Sequence, residues 1–400
     1  APARHARTQG DFLPTIAESC GRRPILGALT GLRAIAALHV LVYHLAPRGT
    51  VWWLDAVFDS GYLGVGLFYV LSGFILTYNY VNTAGALEVS RRTFWTARFA
   101  RIYPVYLMSL LVAAPVLVRF ASGVIGRDGL LIGAAKTGVV AATNLTLTQG
   151  FLAWAVPPWN APGWSLSAEM FFYALFPLLI GILGRLGTRA LLLAAAVAYL
   201  VGLVPAVAFT LAFPHGAEAT APLNDLLLFL KFLPLTHVHE FVLGIVAGRW
   251  FLRGETPRWL TAAGVGAVLL IVAAMVANRV VPYALLHTGL LAPLFAVVIC
   301  ALATARLPGT RVLARPLAVR LGEASYALYL IHLPLGRYTI ALLLALGLSW
   351  GWLPLIAFIV AAQAVSYGVF RLVEEPFRRR LRAALAPRAQ RPAASVPSAA

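Results

Sequence analysis

Two ionisable residues in the first apolar segment, Arg33 and His44, have a spacing that favours one helix face. They are eleven residues apart, which at 100° per residue leaves them within about 20° of each other and roughly 16 Å apart along the axis. A hydroxyl group is a weak nucleophile that needs a base. His44 is therefore a candidate general base. A histidine in an apolar helix can equally be a hydrogen-bonded packing residue, so the spacing leaves both interpretations open.

A carboxylate lies in another apolar segment, and a pair of arginines lies just before a third. Glu169 follows the start Trp164-Ser165-Leu166-Ser167-Ala168, and a carboxylate inside the membrane needs a partner, either a histidine that it orients or an arginine with which it pairs. Arg98 and Arg101 stand at i and i+3 on one helix face, where they could bind phosphate groups. Charge alone favours a simpler role, in which these arginines anchor the helix at the cytoplasmic boundary.

The elements that must position these residues are membrane-spanning helices. Apolar residues make up 60% of the 400-residue chain and charged residues only 12%, against about 25% charged residues in soluble domains. The apolar blocks are long enough to cross the hydrocarbon core, and they are rich in Leu and Ala without the alternation typical of strands. The sequence therefore predicts an all-α fold, a polytopic transmembrane helical bundle.

The net charge of +18 comes almost entirely from arginine. A basic chain can indicate nucleic-acid binding, but here the arginines lie in short loops between apolar blocks, which is typical of residues that set membrane orientation. We therefore expect membrane lipid and no nucleic acid as a partner. No metal-ligand spacing, Walker loop or serine nucleophile elbow occurs in the sequence, and no metal site is expected.

Charge distribution also predicts how the chain is oriented in the membrane. Eleven apolar blocks lie near 26–47, 62–82, 102–120, 129–150, 164–184, 190–213, 226–248, 259–277, 285–304, 322–346 and 352–373. The arginine-rich segments between and around them should be cytoplasmic, including a tail at 1–25 and a basic tail at 378–400 that we expect to be disordered.

Both termini can be cytoplasmic only if the number of crossings is even, so one block should not span. The weakest block is 129–150, which contains Lys136 and ends in a polar run. We predict a re-entrant or surface segment there, on the outer side, and ten spans in a membrane domain covering 26–377. Five cations remain on the outer side as exceptions to the charge rule: Arg48, Arg119, Arg127, Lys136 and Arg279.

Eight short motifs resemble, in order, those of the acyltransferase-3 family of bacterial membrane O-acyltransferases. They are Leu29–Ala37 (LTGLRAIAA), Arg33 and His44 at the R-x10-H spacing, Phe68–Phe74 (FYVLSGF), Arg98–Pro104 (RFARIYP), Trp164–Tyr173 (WSLSAEMFFY), Glu240–Gly244 (EFVLG), Ser325–His332 (SYALYLIH) and Glu374–Phe377 (EEPF). The sequence departs from the family pattern at Thr30, where the family has Asp, at Ala34, where it has Gly, and at Met170, where it has a second Glu.

The resemblance implies transfer of an acyl group, often acetyl, from cytoplasmic acyl-CoA to a hydroxyl of a glycan, a lipid-linked sugar or a small secreted molecule. It implies that His44 is the base or acyl carrier, assisted by Glu169 and Arg33. Arg33, Arg98 and Arg101 would bind the phosphates of acyl-CoA. The acceptor would be bound by Ser72, Trp164, Ser165, Ser167, Tyr173, Tyr326 and His332.

Two other classes of protein fit a chain with buried charges. One is a transporter or flippase for a glycan or lipid, although the sequence shows no paired half-repeats and no matched broken helices in its two halves. The other is a structural or regulatory membrane subunit, which would not need Arg33, His44 and the Arg98–Arg101 pair.

Overall fold

The computed structural model describes residues 23–156, 159–213, 225–254 and 257–385, with side chains described as far as residue 381. Residues 1–22 and 386–400, which hold most of the two basic tails predicted from sequence, lie outside the described residues. Within the described ranges the chain is helical, and its one β feature is an isolated bridge between Val81 and Leu87. The predicted all-α transmembrane class is confirmed.

In the described ranges the α-helices are numbered in chain order. They are α1 Gly27–Leu45, α2 Trp52–Asp59, α3 Leu63–Tyr80, α4 Arg91–Val112, α5 Ala114–Asp128, α6 Leu130–Leu145, α7 Trp164–Leu183, α8 Thr188–Ala212, α9 Asp225–Phe232, α10 Val238–Leu252, α11 Trp259–Val276, α12 Tyr283–His287, α13 Ala292–Ala303, α14 Thr310–Leu313, α15 Pro316–Ala345, α16 Trp352–Val369 and α17 Glu375–Leu385. Short 3-10 turns cover Gln149–Phe151, Ala153–Ala155, Ala161–Gly163 and Pro234–His237, and a π-helical turn, Phe370–Glu374, joins α16 to α17.

Eight helical segments in the described residues are long and apolar enough to cross a membrane, and two bent helix pairs raise the number to as many as ten. The pairs are α4 with α5, bent by 56°, and α9 with α10, bent by 55°. This agrees with the ten spans predicted from charge. The α4–α5 break occurs where Pro115 enters the first turn of α5, a position that tolerates proline because the missing N–H would have no helical partner there.

The segment predicted not to span, 129–150, forms α6 and the turn that follows it. At 16 residues, α6 is short for a membrane crossing. Gly129 joins it to α5 with φ of 83°, a backbone conformation that glycine adopts without strain, so the two helices fold back as a hairpin. The polar end of the segment is only partly on the surface, because Thr146 and Thr148 are exposed whereas Asn144 and Gln149 are fully buried.

Gln149 connects this segment to the interior. Its side-chain N–H group donates to the carbonyl oxygen of Gly163 at 2.8 Å and to the hydroxyl of Tyr106 at 3.2 Å. A buried amide without such partners would cost several kcal/mol in an apolar environment. Gln149 belongs to the polar run that made 129–150 a poor candidate for a membrane span. Its hydrogen bond to Gly163 holds the start of α7 in place.

Close packing of α1 against α15 fixes the register of the residues along both helices. A side chain at Gly322 would overlap the carbonyl oxygen of Thr30, and one at Gly31 would overlap that of Leu313, just before α15. Without a Cβ atom at these positions the two backbones can approach closely. The helices α8 and α11 are peripheral, with outward apolar side chains such as Leu193 and Leu269, as expected where the solvent is lipid.

Candidate active site

Two histidines from α1 and α15 meet in the bundle. Nε2 of His332 lies 3.1 Å from Nδ1 of His44, and the other nitrogen of His332 lies 3.1 Å from the carbonyl oxygen of Leu328. A carbonyl oxygen only accepts, so Nδ1 of His332 carries its proton and Nε2 of the neutral ring accepts. Nδ1 of His44 is then the donor, shared between His332 and the carbonyl oxygen of Val40 at 2.9 Å. Nε2 of His44 is left with a free lone pair.

The pair differs in exposure. His332 is completely buried, whereas His44 is exposed because it lines a cavity of about 120 Å³. This space, which we call the His44 cavity, is bounded by Val40, Tyr43, His44, Tyr62, Val65, Val156, Ala161, Pro162, Trp164, Lys231, Phe232, His287 and Tyr329. Its walls are mostly apolar and aromatic with a few polar groups, as in small-molecule sites. A base in such a cavity can reach a bound hydroxyl.

Lys231 is the cation of the His44 cavity. Its Nζ atom lies 5.4 Å from the ring centre of Phe232 and 5.6 Å from that of Tyr283, close enough for cation–π attraction. It makes no ion pair with a carboxylate in the described parts of the chain. It acts electrostatically on both His44 and His287. An unpaired ammonium here can attract negative charge that develops on a substrate.

His287 is a second histidine of the same cavity. It is 7% exposed and stacks on Tyr62 with ring centres 5.6 Å apart. Neither of its ring nitrogens makes a hydrogen bond to another described residue. A buried polar group without a partner costs free energy, so an imidazole in this position is available to a ligand.

A chain of buried hydrogen bonds supports the backbone of Lys231. Nδ1 of His237 lies 2.7 Å from a carboxylate oxygen of Glu240, and its Nε2 lies 3.0 Å from the carbonyl oxygen of Lys231. His237 and Glu240 are 1% and 0% exposed. The Glu240 of the EFVLG motif therefore orients the histidine that holds the backbone of Lys231 in place.

A cluster of arginines lies at the other end of α1. Arg101 pairs with Glu374 at 3.5 Å, and the same carboxylate oxygen pairs with Arg378 at 3.2 Å. Arg98 donates to the hydroxyl of Tyr80 at 2.6 Å and lies over its ring. We call Arg33, Arg98, Arg101 and Arg378, together with Glu169 and Glu374, the arginine cluster. Its four cations exceed its two carboxylates, so it can bind an anion.

Arg33 is the arginine of this cluster whose charge is least compensated. Its guanidinium makes no hydrogen bond or ion pair among the described residues, although it interacts electrostatically with Arg101, Glu169 and Glu374. The side chain is only partly buried. A cation in this setting is expensive unless it meets an anion or water. The residue therefore has free donors for a bound anionic group.

The structure places Arg33, Arg98 and Arg101 in one cluster, as the family resemblance implies, and it places Glu169 with them and away from His44. Glu169 accepts hydrogen bonds from Tyr173 and, at 3.5 Å, from Ser72. The reason is helical geometry, because Glu169 lies five residues beyond Trp164. It is therefore about 7.5 Å further along α7 and about 140° around it from the residue that faces the His44 cavity. The partner of His44 is His332.

The residues predicted to bind an acceptor divide between the two ends. Trp164 lines the His44 cavity, His332 contacts His44, and Ser165 shares a 2.8 Å hydrogen bond with the cavity residue Tyr329. Ser167 accepts from the backbone N–H of Gly150 at 3.2 Å, a contact within the fold.

Three predicted acceptor residues lie away from the cavity. Ser72 and Tyr173 bind Glu169 in the arginine cluster. Tyr326 donates to the carbonyl oxygen of Ile102 at 2.8 Å. At their observed positions these three side chains contact residues around the arginines. They would not contact an acceptor bound in the His44 cavity.

Among the polar residues of the cavity, Tyr62, Lys231 and His287 were not predicted from sequence as site residues. One signal was available, because Lys231 is one of only two lysines in the chain and lies in an apolar block. His287 carried no signal, since a single histidine near the start of a block has no spacing to interpret.

Several known proteins have similar sequences. The family described as "Acyltransferase domain" matches residues 26–371. The chain is 36% identical over 327 residues to acyltransferase MdmB of Streptomyces mycarofaciens, covering 78% of this chain and 79% of that protein. It is 26% identical over 368 residues to nodulation protein 10 of Rhizobium leguminosarum bv. viciae, covering 86% and 91%. It is 29% identical over 166 residues to O-acetyltransferase OatA of Staphylococcus aureus, covering 40% of this chain and 25% of that protein. No solved structure matches.

Proposed function

The chain belongs to this acyltransferase family, and from that premise we propose that it moves a small acyl group from cytoplasmic acyl-CoA to a hydroxyl held in the His44 cavity. It is a multi-pass membrane acyltransferase. The observation that carries the finer proposal is the arrangement on one helix, α1, of Arg33 in the arginine cluster and His44 at the cavity. A phosphate-bearing donor and a base are then held by a single rigid element.

The arginine cluster is the proposed site for the phosphates of acyl-CoA. Guanidinium groups bind phosphate through charge-assisted and often paired hydrogen bonds, and Arg33 has no hydrogen-bonded partner among the described residues to give up. The 3.5 Å pair between Arg101 and Glu374 restrains Arg101 without neutralising the cluster. Arg98, Arg101 and Arg378 of the cluster lie in segments predicted to be cytoplasmic, which supports a donor that binds on the side where acyl-CoA is made.

The His44 cavity is the proposed site of acyl transfer. The acceptor oxygen attacks the thioester carbonyl carbon while Nε2 of His44 takes its proton. The carbonyl oxygen becomes an oxyanion, and the ammonium of Lys231 stabilises it. Collapse breaks the C–S bond, and the departing CoA thiolate takes the proton from His44. The free lone pair on Nε2 supports this role, and it equally permits attack by His44 itself to form an acyl-imidazole.

The acceptor is proposed to be a carbohydrate or another hydroxyl-bearing small molecule. Cavity rings such as Tyr62 and Trp164 provide flat apolar surfaces, and Lys231, His287 and Tyr329 provide a few polar contacts. This combination suits a molecule with both apolar faces and hydroxyl groups.

The test is transfer of label from radiolabelled acetyl-CoA in membrane vesicles that contain the full chain and a panel of sugar and small-molecule acceptors. Label should reach an acceptor with the wild type and fall about 10²- to 10⁴-fold with His44→Ala. Because acyl-CoA does not cross membranes, inside-out vesicles should be active and right-side-out vesicles inactive. Wild type that transfers no label, or a His44→Ala variant as active as wild type, would refute the proposal. Transport of an acceptor without labelling would favour the transporter.

The proposed topology has both termini in the cytoplasm of the bacterial inner membrane. It is supported by the even number of crossings that the bent pairs allow. A reporter that is active only in the cytoplasm, fused after residue 400, should be active, and a periplasmic reporter fused there should not.

A further inference from the structure

A groove on the surface of the bundle lies between α5 and α15. It has a volume of about 700 Å³ and is lined by Pro115, Val116, Arg119, Phe120, Gly123, Arg127, Arg337, Tyr338 and Ala341. Its floor is apolar, and three arginines face it from two helices. The hydroxyl of Tyr338 donates to the carbonyl oxygen of Val112 at 2.8 Å, which fixes α15 against the end of α4 beside the groove.

The arginines of the groove are distinguished from the other unexpected cations by their lack of partners. Among the five exceptions to the charge rule, Arg48 pairs with Asp59 at 2.7 Å, Lys136 with Asp128 at 2.7 Å, and Arg279 with Asp59 at 3.4 Å.

The remaining two exceptions, Arg119 and Arg127, make no ion pair or hydrogen bond within the described ranges. Both are exposed, as is Arg337, which is likewise unpaired there. The two exceptions without a carboxylate partner, Arg119 and Arg127, therefore line the same groove as the unpaired Arg337.

We propose that this groove binds an anionic membrane phospholipid, with its phosphate between the three arginines and an acyl chain along the apolar floor. Arginine suits phosphate because its planar donors match the phosphate oxygens, and basic pockets between membrane helices commonly hold lipid headgroups. A soluble anion would use the arginines but would gain nothing from Val116, Phe120 and Ala341. The pairing of charge with an exposed apolar surface therefore selects an amphipathic ligand from the bilayer.

Binding there would also act on the proposed chemistry. Arg337 follows His332 by five residues on α15 and interacts electrostatically with His44. A cation near His44 opposes the positive charge that His44 acquires when it accepts a proton. A bound phosphate would offset the charge of Arg337, so anionic lipid should speed transfer. This consequence rests on the proposed function, whereas lipid binding does not.

The test measures lipid that stays with the purified full-length protein in bilayer nanodiscs of equal phosphatidylglycerol and phosphatidylcholine, extracted into mild detergent and analysed by native mass spectrometry. Wild type should retain phosphatidylglycerol over phosphatidylcholine. Combined Arg119→Gln, Arg127→Gln and Arg337→Gln should reduce the enrichment by roughly tenfold, since each basic residue near the surface contributes to anionic-lipid binding.

Two glycines give a matched steric pair. A Cβ atom added at Gly123 meets no atom within 4 Å, so the side chain of Gly123→Leu can enter the groove and should abolish the enrichment. Gly138 on α6 is equally open but does not line the groove, so Gly138→Leu should retain phosphatidylglycerol like wild type.

Three results would overturn the proposal: equal retention of the two lipids by wild type, unchanged enrichment in Gly123→Leu, or displacement of the lipid by millimolar inorganic phosphate. The last result would identify a site for a soluble anion. None of these measurements depends on acyl transfer. The lipid proposal can therefore fail while the proposed function holds, and the proposed function can fail while the lipid proposal holds.

Discussion

Nε2 of His332 lies 3.1 Å from Nδ1 of His44, although 288 residues separate the two histidines in the chain. The contact depends on the close approach of α1 and α15, which Gly322 permits because it has no Cβ atom to meet the carbonyl oxygen of Thr30. It determines which nitrogen of His44 faces the cavity, because Nδ1 is occupied by His332 and the carbonyl oxygen of Val40. His332 is therefore a positioning residue that also stabilises the protonated form of His44 by accepting from it.

Replacing His332 should show how much its hydrogen bond with His44 contributes to acyl transfer. In His332→Leu the acceptor for His44 is lost, and kcat should fall about tenfold to a hundredfold while KM for both substrates changes little. In His332→Gln an amide oxygen can still accept, so more activity should remain. The residual activity reflects the carbonyl oxygen of Val40, which still holds Nδ1 of His44. Steady-state transfer assays in membranes measure both constants.

The matched control is His39→Gln on the same helix, since Nε2 of His39 lies 2.7 Å from the carbonyl oxygen of Val57 and does not contact His44. It should keep wild-type kcat. Equal activity of the Leu and Gln variants at His332 would show that the hydrogen bond to His44 does not matter for transfer.

Lys231 should stabilise the transition state of acyl transfer more than it stabilises the bound acceptor. Lys231→Met removes the charge with little change of length, and kcat should fall about 10²- to 10³-fold, the usual effect of losing one group that stabilises an oxyanion. KM for the acceptor should be nearly unchanged, because the negative charge appears only during the reaction. Lys231→Arg should retain part of the activity.

The only other lysine, Lys136, provides the control. It pairs with Asp128 on the α5–α6 hairpin, so Lys136→Met should transfer like wild type. If Lys231→Met instead raised KM for the acceptor at unchanged kcat, Lys231 would be a group that binds the acceptor. The prediction that it stabilises the oxyanion would then be wrong.

Positions along one helix were predictable from sequence, and contacts between helices were not. The spacing of Arg33 and His44 correctly indicated two ends of one helix face. The same periodicity could not tell that Glu169 faces Tyr173 and Ser72, because the neighbours of a helix face depend on packing. His332 was selected through the family resemblance as an acceptor residue, and its contact with His44 emerges only from the α1–α15 interface.

Buried polar groups in loops were equally hard to interpret from sequence. The polar end of 129–150 indicated a weak span, which the short α6 bears out. The fully buried Gln149, which binds Gly163 and Tyr106, shows that the same residues fasten α7. Polarity alone cannot distinguish a side chain that meets water from one that meets a buried carbonyl group.

Arg33 should affect the binding of acyl-CoA more than the rate of acyl transfer. Arg33→Gln breaks no ion pair of the fold, and removing one charge-assisted contact to phosphate should raise KM for acyl-CoA roughly tenfold or more. The KM of wild type should rise with salt more steeply than that of the variant, since screening weakens the interaction that the variant has lost. The control is Arg371→Gln, whose side chain pairs with Glu375 at 2.8 Å and is 54% exposed. An unchanged KM in Arg33→Gln would exclude Arg33 from the donor site.

Gly322 should be the position at which a single methyl group uncouples the two histidines. In Gly322→Ala the new Cβ would overlap the carbonyl oxygen of Thr30, so α15 must move away from α1. Such overpacking typically costs about 1–3 kcal/mol, and the same shift lengthens the contact between His44 and His332. We expect a lower midpoint of thermal unfolding in detergent and a reduced kcat. Gly266→Ala on α11 meets no atom within 4 Å and should be neutral or slightly stabilising, because alanine favours the helix. A Gly322→Ala variant that unfolds and turns over like Gly266→Ala would show that close packing of α1 and α15 is not what holds the histidines together.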